Sequence, residues 1–168
     1  VEQKIQSAVA ARKKVILVGL SMGGQAALYF ASKYPVQGAV VIGISHNLKF
    51  PLNVPGLELL GLVKRTWKKR LSPEAVQMRT GAIYYDRMQV DGLYLSRELR
   101  SLVENRAHLI SNPVFFVHAS SDRLGDPRAI EKLSKKIPGR TSSKILDCSA
   151  HSMFFSSLKN RVTGEILS

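Results

Sequence analysis

Residues 15–30 read VILVGLSMGGQAALYF: an apolar run, a serine set between glycines, then small residues that begin a helix. Residues 15–19 carry no polar side chain, which is the pattern of a strand buried on both faces, and such strands belong to parallel sheets. Beyond Ser21, the stretch GGQAALYFASKYP places Ala26, Ala27, Phe30 and Ala31 on one side and stops at Pro35, as a helix does. The sharp bend between strand and helix therefore falls on Ser21. Such a bend projects a serine hydroxyl outward, and the positions two before and two after it, Gly19 and Gly23, are expected to be small because side chains would collide there.

Working outward, residues 36–45 (VQGAVVIGIS) read as a second buried strand, so that strand, helix and strand form a βαβ crossover. Upstream, residues 2–11 have the spacing of a short helix with Ile5, Ala8 and Val9 on one face. From His46 to Ile110 the pattern changes. Pro51 and Pro55 interrupt it, Leu57, Leu60, Val63, Trp67 and Leu71 recur at helical spacing, and a second helical stretch runs from about Gly92 to His108. This region reads as a helical insertion. Regular alternation returns with a strand in NPVFFVHASSD, then a helix in DPRAIEKLSKKIP with Asp126 as its N-cap and Pro127 at its first position. A strand in SSKILDCSAH and a final helix in SMFFSSLKNRVTGEIL complete the series.

Composition sets the bounds. The 168 residues, 45% of them hydrophobic, are enough to bury one core, so a single domain over residues 1–168 is expected. The single cysteine, Cys148, allows no internal disulfide and fits a reducing compartment. No apolar run approaches the ~20 residues of a membrane span, and VEQKIQSAVAARKK lacks the apolar centre of a secretory signal. A cytoplasmic location is the expectation. The net charge of +13 is spread along the chain, and only KRTWKKR, residues 64–70, concentrates it. With no recognition-helix, zinc-finger or RNA-binding aromatic signature beside it, nucleic acid is not an expected partner. Metal-ligand spacing and a phosphate-binding glycine loop are both missing from the sequence, so neither a metal nor a cofactor is expected.

If Ser21 is a nucleophile, an imidazole must take its proton and a carboxylate must fix that imidazole's tautomer. Asp122 ends the strand NPVFFVHASSD, and His151 follows KILDCSA. The order Ser21, Asp122, His151, with acid and base at the C-terminal ends of later strands, is that of the α/β-hydrolases. The helix after Ser21 aims its N-terminal amides at a developing oxyanion, the Met22 N–H among them. Competing residues have plainer roles. Asp126 caps a helix, Asp147 lies within the last strand, His118 reads as a hydrogen-bonded core histidine, His46 and His108 flank the insertion as surface groups, and Cys148 is a small buried hydrophobe.

The blocks VILVGLSMGGQAALYFASKYP, NPVFFVHASSDRLGDPRAIEKL and SKILDCSAHSMFF together resemble the motif blocks of the α/β-hydrolase superfamily, especially its carboxylesterases and monoglyceride-lipase-like serine hydrolases. The segment YYDRMQVDGLYLSRELRSLVENRAHLISNP is similar to the lid exit of those carboxylesterases. The resemblance implies a mostly parallel sheet with flanking helices and an inserted helical lid at about residues 46–110. It also implies catalytic roles for Ser21, Asp122 and His151 in cleaving carboxylic esters through an acyl-enzyme, with a small ester carrying an apolar acyl group as substrate. Acyl transfer, thioester or peptide cleavage by the same residues, and a catalytically silent binding protein, are the alternatives.

In that family several strands precede the nucleophile strand, and a loop among them gives the second oxyanion donor. This chain resembles the C-terminal portion, lacking the usual N-terminal strands, so the second donor is expected from outside it. In the insertion, Leu57, Leu60, Val63 and Trp67 lie beside Lys64, Arg65, Lys68, Lys69 and Arg70, a pattern suited to an anionic membrane surface. The plainer expectation is a lid helix over the acyl pocket with a solvated basic face.

Overall fold

The computed structural model describes residues 1–47, 56, 59, 65–68, 87–122, 124–148, 151, 153 and 158–167, apart from the side chains of Trp67 and Met88. In chain order the elements are α1 (Glu2–Ala10), β1 (Ile16–Leu20), α2 (Met22–Ala31), β2 (Gly38–Ile42), β3 (Thr66–Lys68), β4 (Arg87–Gln89), α3 (Asp91–Arg106), β5 (Val114–Ala119), α4 (Arg128–Ser134), β6 (Thr141–Leu146) and α5 (Lys159–Leu167). Helix α3 tightens at its end into a 3₁₀ turn over Ala107–Leu109. Among the described residues no helix is long and apolar enough to cross a membrane.

Strands β1, β2, β5 and β6 form one sheet in that order, parallel throughout. Leu20 pairs with Ile42, Ile42 with Val117, and Ala119 with Leu146. This register aligns the C-terminal ends of β1, β5 and β6. The residues that follow those ends, where open parallel sheets place their sites, are Ser21, Asp122 and His151.

Side chains alternate across the strands, and each face has its own core. On one face Ala39, Val41, Val114 and Phe116 pack with Leu28 and Ala31 of α2, Val103 of α3, and Ile130 and Leu133 of α4. On the other, Val40, Ile42, Val117 and Leu146 pack with Met153 and with Val162 of α5. With both faces covered, β2 is buried along its whole length.

Several elements of the fold differ from the sequence reading. Strand β1 is not buried on both faces: Ile16 and Val18 are 62% and 60% exposed, because β1 stands at the sheet edge and the layer built on α5 reaches only Leu20. Helix α2 buries Gly24, Gln25, Ala27, Leu28 and Ala31, while Ala26 and Phe30 are half-buried. The cause is close docking on β2, where Gly24 meets Val41. The insertion is not wholly helical: Thr66–Lys68 and Arg87–Gln89 pair as antiparallel strands, so the helical spacing through Trp67 does not hold there. β-Branched and aromatic residues suit a strand, and the Arg87 guanidinium donates to Thr66 Oγ1 at 2.9 Å across the pair. Arg65 and Lys68 are exposed, whereas Leu57, Leu60, Val63, Lys64, Lys69, Arg70 and Leu71 lie outside the described residues. Finally, Asp147 follows β6 rather than lying within it. The α3 span agrees with the expected helix at about Gly92 to His108.

Candidate active site

The bend at Ser21 is unusual backbone. Ser21 has φ +57° and ψ −118°, a combination that costs a non-glycine residue about 1–3 kcal/mol and persists only when its surroundings enforce it. Here the Ser21 amide donates to the Ile42 carbonyl at 2.9 Å, and the Gly24 amide donates to the Ser21 carbonyl at 3.0 Å. The strand-to-helix crossing is so close that a Cβ on Gly19 would stand 2.1 Å from the Gly23 carbonyl oxygen. A Cβ on Gly23 would meet no described atom within 4 Å. Gly23 therefore contributes its backbone to the close approach, and the second glycine with no room for a side chain is Gly24, where a Cβ would stand 2.8 Å from Val41 Cγ1.

Asp122 is carried by the turn that leaves β5. The Ser120 amide donates to Leu146, that of Ser121 to Cys148, and that of Asp122 back to Ala119, which folds the chain over the strand end. Among the described residues, donors reach both oxygens of its buried carboxylate. The amides of Leu124 and Gly125 reach Oδ1 at 2.7 and 3.1 Å, and the His151 imidazole reaches Oδ2 through Nδ1 at 2.7 Å. Burial pushes the Asp122 carboxyl up, but the hydrogen bond and charge of His151, with the two amides, outweigh it and hold the group below the usual carboxylate range.

With the Nδ1 proton directed to Asp122, the other ring nitrogen of His151 is left to accept, and Nε2 lies 2.8 Å from Ser21 Oγ. The sequence-predicted acid, base and serine thus form one continuous chain of hydrogen bonds. The arrangement is able to draw a proton from the hydroxyl onto an imidazole whose positive charge the carboxylate balances. Met22 opens α2 beside it, its side chain exposed at the helix N-terminus.

The competing residues fall elsewhere. Asp126 accepts the Arg128 amide at 3.0 Å and pairs with the Arg128 guanidinium, but α4 opens at Arg128 with Pro127 as its N-cap, so Asp126 stands one residue ahead of the capping position expected of it. Asp147 accepts the Ser120 hydroxyl, and His108 is exposed. His46 is not a surface group: it is buried, with Nε2 3.0 Å from Glu104 Oε1, and burial drives its pKa below the ordinary 6.5 despite that carboxylate. Cys148 is half-buried. His118 lies fully buried, as expected of a core residue, yet its Nε2 is 3.5 Å from Asp122 Oδ2.

Sequence reasoning missed two glycines. Gly43 has φ +53°, and a Cβ there would stand 2.9 Å from the His151 carbonyl oxygen, so a bare backbone lets the end of β2 support the histidine loop. At Gly125 a Cβ would meet the Ile44 carbonyl at 2.5 Å. Only the spacing of Gly43 just after a buried strand hinted at either.

The family model described as serine aminopeptidase, S33, matches residues 2–157, nearly the whole chain. The chain belongs to that family. Among solved structures it is similar to the metagenome-derived lipolytic enzymes LipS and LipT (TM-score 0.80, 17% identity, 98% of this chain and 68% of that one). It is similar also to a soluble variant of monoglyceride lipase from Saccharomyces cerevisiae, in complex with a substrate analogue (TM-score 0.73, 19% identity, 98% and 64%). A third is the monoacylglycerol lipase of Paleococcus ferrophilus (TM-score 0.78, 16% identity, 99% and 70%). At these identities the likeness shows the α/β-hydrolase fold, and the S33 chain spans about two-thirds of each structure. By sequence, no curated protein matches it.

Proposed function

We propose that the chain carries the catalytic residues of a serine hydrolase of carboxylic esters. The observation that carries this reading is the hydrogen-bonded series Asp122–His151–Ser21, mounted on a serine whose φ is +57° at the mouth of α2. Ser21 Oγ attacks the ester carbonyl carbon while its proton passes to His151 Nε2. The carbonyl oxygen becomes an anion facing the Met22 amide and the positive end of α2. Collapse of this intermediate breaks the carbon–oxygen bond, and the alcohol leaves with the proton from His151. Water, deprotonated by the same nitrogen, then attacks the acyl-enzyme, and the acid departs as Ser21 recovers its proton. Asp122 stays ionised throughout, holding the imidazole in the required tautomer.

That the similar structures are lipolytic enzymes and monoglyceride lipases supports an ester with an apolar acyl group. Residues 46–110 are read as the lid over that group, with Arg65 and Lys68 on its solvent side. A second reading, peptide cleavage at an amino terminus, is favoured by the family's description. The same residues serve both, because the acceptor and leaving group are chosen by the pocket.

A fluorophosphonate probe tests the nucleophile. The protein should be labelled at Ser21, and Ser21→Ala should abolish labelling while the melting transition is kept. Labelling that persists in Ser21→Ala refutes the assignment. Turnover of a short p-nitrophenyl ester against an aminoacyl p-nitroanilide separates the esterase from the aminopeptidase.

A further inference from the structure

We propose that His118 is a positioning residue for Asp122, its ring bracing the carboxylate oxygen to which His151 is bonded. The inference rests on the reading that Asp122 and His151 act on Ser21, and it assigns a fourth side chain to that series.

His118 and Asp122 are four residues apart, a separation that would put them on one face but about 13 Å apart if β5 continued straight. Instead β5 stops at Ala119, and the three amide bonds of Ser120, Ser121 and Asp122 turn the chain back. The acid is thereby set against the ring, Nε2 to Oδ2 at 3.5 Å, with both side chains 0% exposed. The ring also touches the other support of the carboxylate. At Gly125, whose amide donates to Oδ1, a Cβ would stand 3.1 Å from His118 Cε1 and 3.4 Å from Nε2. One imidazole is therefore packed between the oxygen that orients His151 and the turn that holds the opposite oxygen.

An imidazole is a costly way to fill a core, since its nitrogens give up water. Beside a buried carboxylate it is useful, because an N–H directed at Oδ2 stabilises the charge that burial opposes. Among the described residues, Asp122, from its own strand's continuation, lies against the ring, and His151, from the loop after β6, reaches the same carboxylate oxygen. The direction of its effect follows. With its proton on Nε2, in the neutral or the charged ring, His118 draws on Oδ2 and lessens that oxygen's hold on protonated His151. Removing it leaves Oδ2 free to bind the His151 imidazolium more strongly, so the histidine deprotonates at higher pH.

The test compares His118→Leu, which has no donor, with His118→Gln, whose amide nitrogen falls near the place of Nε2. Each is read by the pH profile of kcat/KM on a short p-nitrophenyl ester and by the low-field proton NMR signal of the His151 Nδ1–H. In His118→Leu the ascending limb should move up by about half a pH unit or more. The kcat should fall by about three- to tenfold with KM nearly unchanged, and the low-field signal should shift or broaden. His118→Gln should return all three toward the parent. A folded His118→Leu with the parental profile and signal overturns the proposal, as does a His118→Gln no better than leucine. Should leucine prevent folding, His118→Asn, whose amide is set back from Oδ2, replaces it in the comparison. If the parent turns over no ester and Ser21 resists the probe, the esterase reading fails. The NMR signal then still decides whether His118 acts on the Asp122–His151 bond.

Discussion

The two glycines that flank the serine should respond oppositely to a methyl group. In Gly19→Ala the new Cβ would lie 2.1 Å from the Gly23 oxygen, 2.3 Å from its carbonyl carbon and 2.6 Å from the Gly24 nitrogen. All three are backbone atoms of the first turn of α2, so no side-chain rotation relieves the clash. Ordinary contact at about 3.5 Å requires the helix start to retreat by more than about 1 Å. Overpacking of this kind costs about 1–3 kcal/mol, and at about 2–4 °C per kcal/mol for a chain of this size the melting temperature should fall by about 2–12 °C. Because Ser21 and the Met22 amide ride on that turn, a shift of about 1 Å should slow fluorophosphonate labelling by about a hundredfold. Gly23→Ala meets no described atom within 4 Å. Alanine is better than glycine inside a helix by about 0.8–1 kcal/mol, so this variant should melt about 2–4 °C higher and label at close to the parental rate. Differential scanning fluorimetry and a labelling time course measure both. A Gly19→Ala protein that melts and labels like the parent, or a Gly23→Ala protein that loses as much as Gly19→Ala, would refute the reasoning.

Two further outcomes are expected. Asp126→Ala should cost about 1 kcal/mol through loss of the oxygen that accepts the Arg128 amide at the start of α4, while Asp126→Asn, which keeps an accepting oxygen, should change neither stability nor ester turnover appreciably; a crippled Asp126→Asn would mean that the acid has been misassigned. His46 is held neutral chiefly by burial, so the unfolded chain binds its proton more readily. Stability should therefore rise with pH between its depressed folded value and 6.5 and be lost as pH falls through that window, and His46→Gln should flatten that slope in melting curves from about pH 5 to 7.

The local pattern around Ser21 was decisive because it is written in consecutive residues. An apolar run, a small-residue turn and a helix stop at Pro35 imply a strand, a bend and a helix, and one βαβ unit in a parallel sheet follows from the next apolar run. Asp122 was preferred to Asp126 because a carboxylate directly before Pro127 reads as a cap, although the helix itself opens one residue later, at Arg128. The insertion was less legible. Its leucines and valines fit helical spacing, yet the antiparallel pairing of Thr66–Lys68 with Arg87–Gln89 joins distant segments and leaves no periodic trace.

Tertiary structure alone decided the rest. That β1 exposes Ile16 and Val18 depends on which layers cover the sheet edge, not on the residues themselves. That Gly19 admits no side chain whereas a Cβ on Gly23 would meet no described atom depends on how closely a strand end passes a helix start. His46 and His118 look alike in sequence as isolated histidines. One is buried against Glu104, and the other lies against the carboxylate to which His151 is hydrogen-bonded. Periodicity reports the face on which a side chain falls, while its neighbours are set by where separate strands end in register. The alignment of β1, β5 and β6 brings Ser21, Asp122 and His151 within hydrogen-bonding distance of one another.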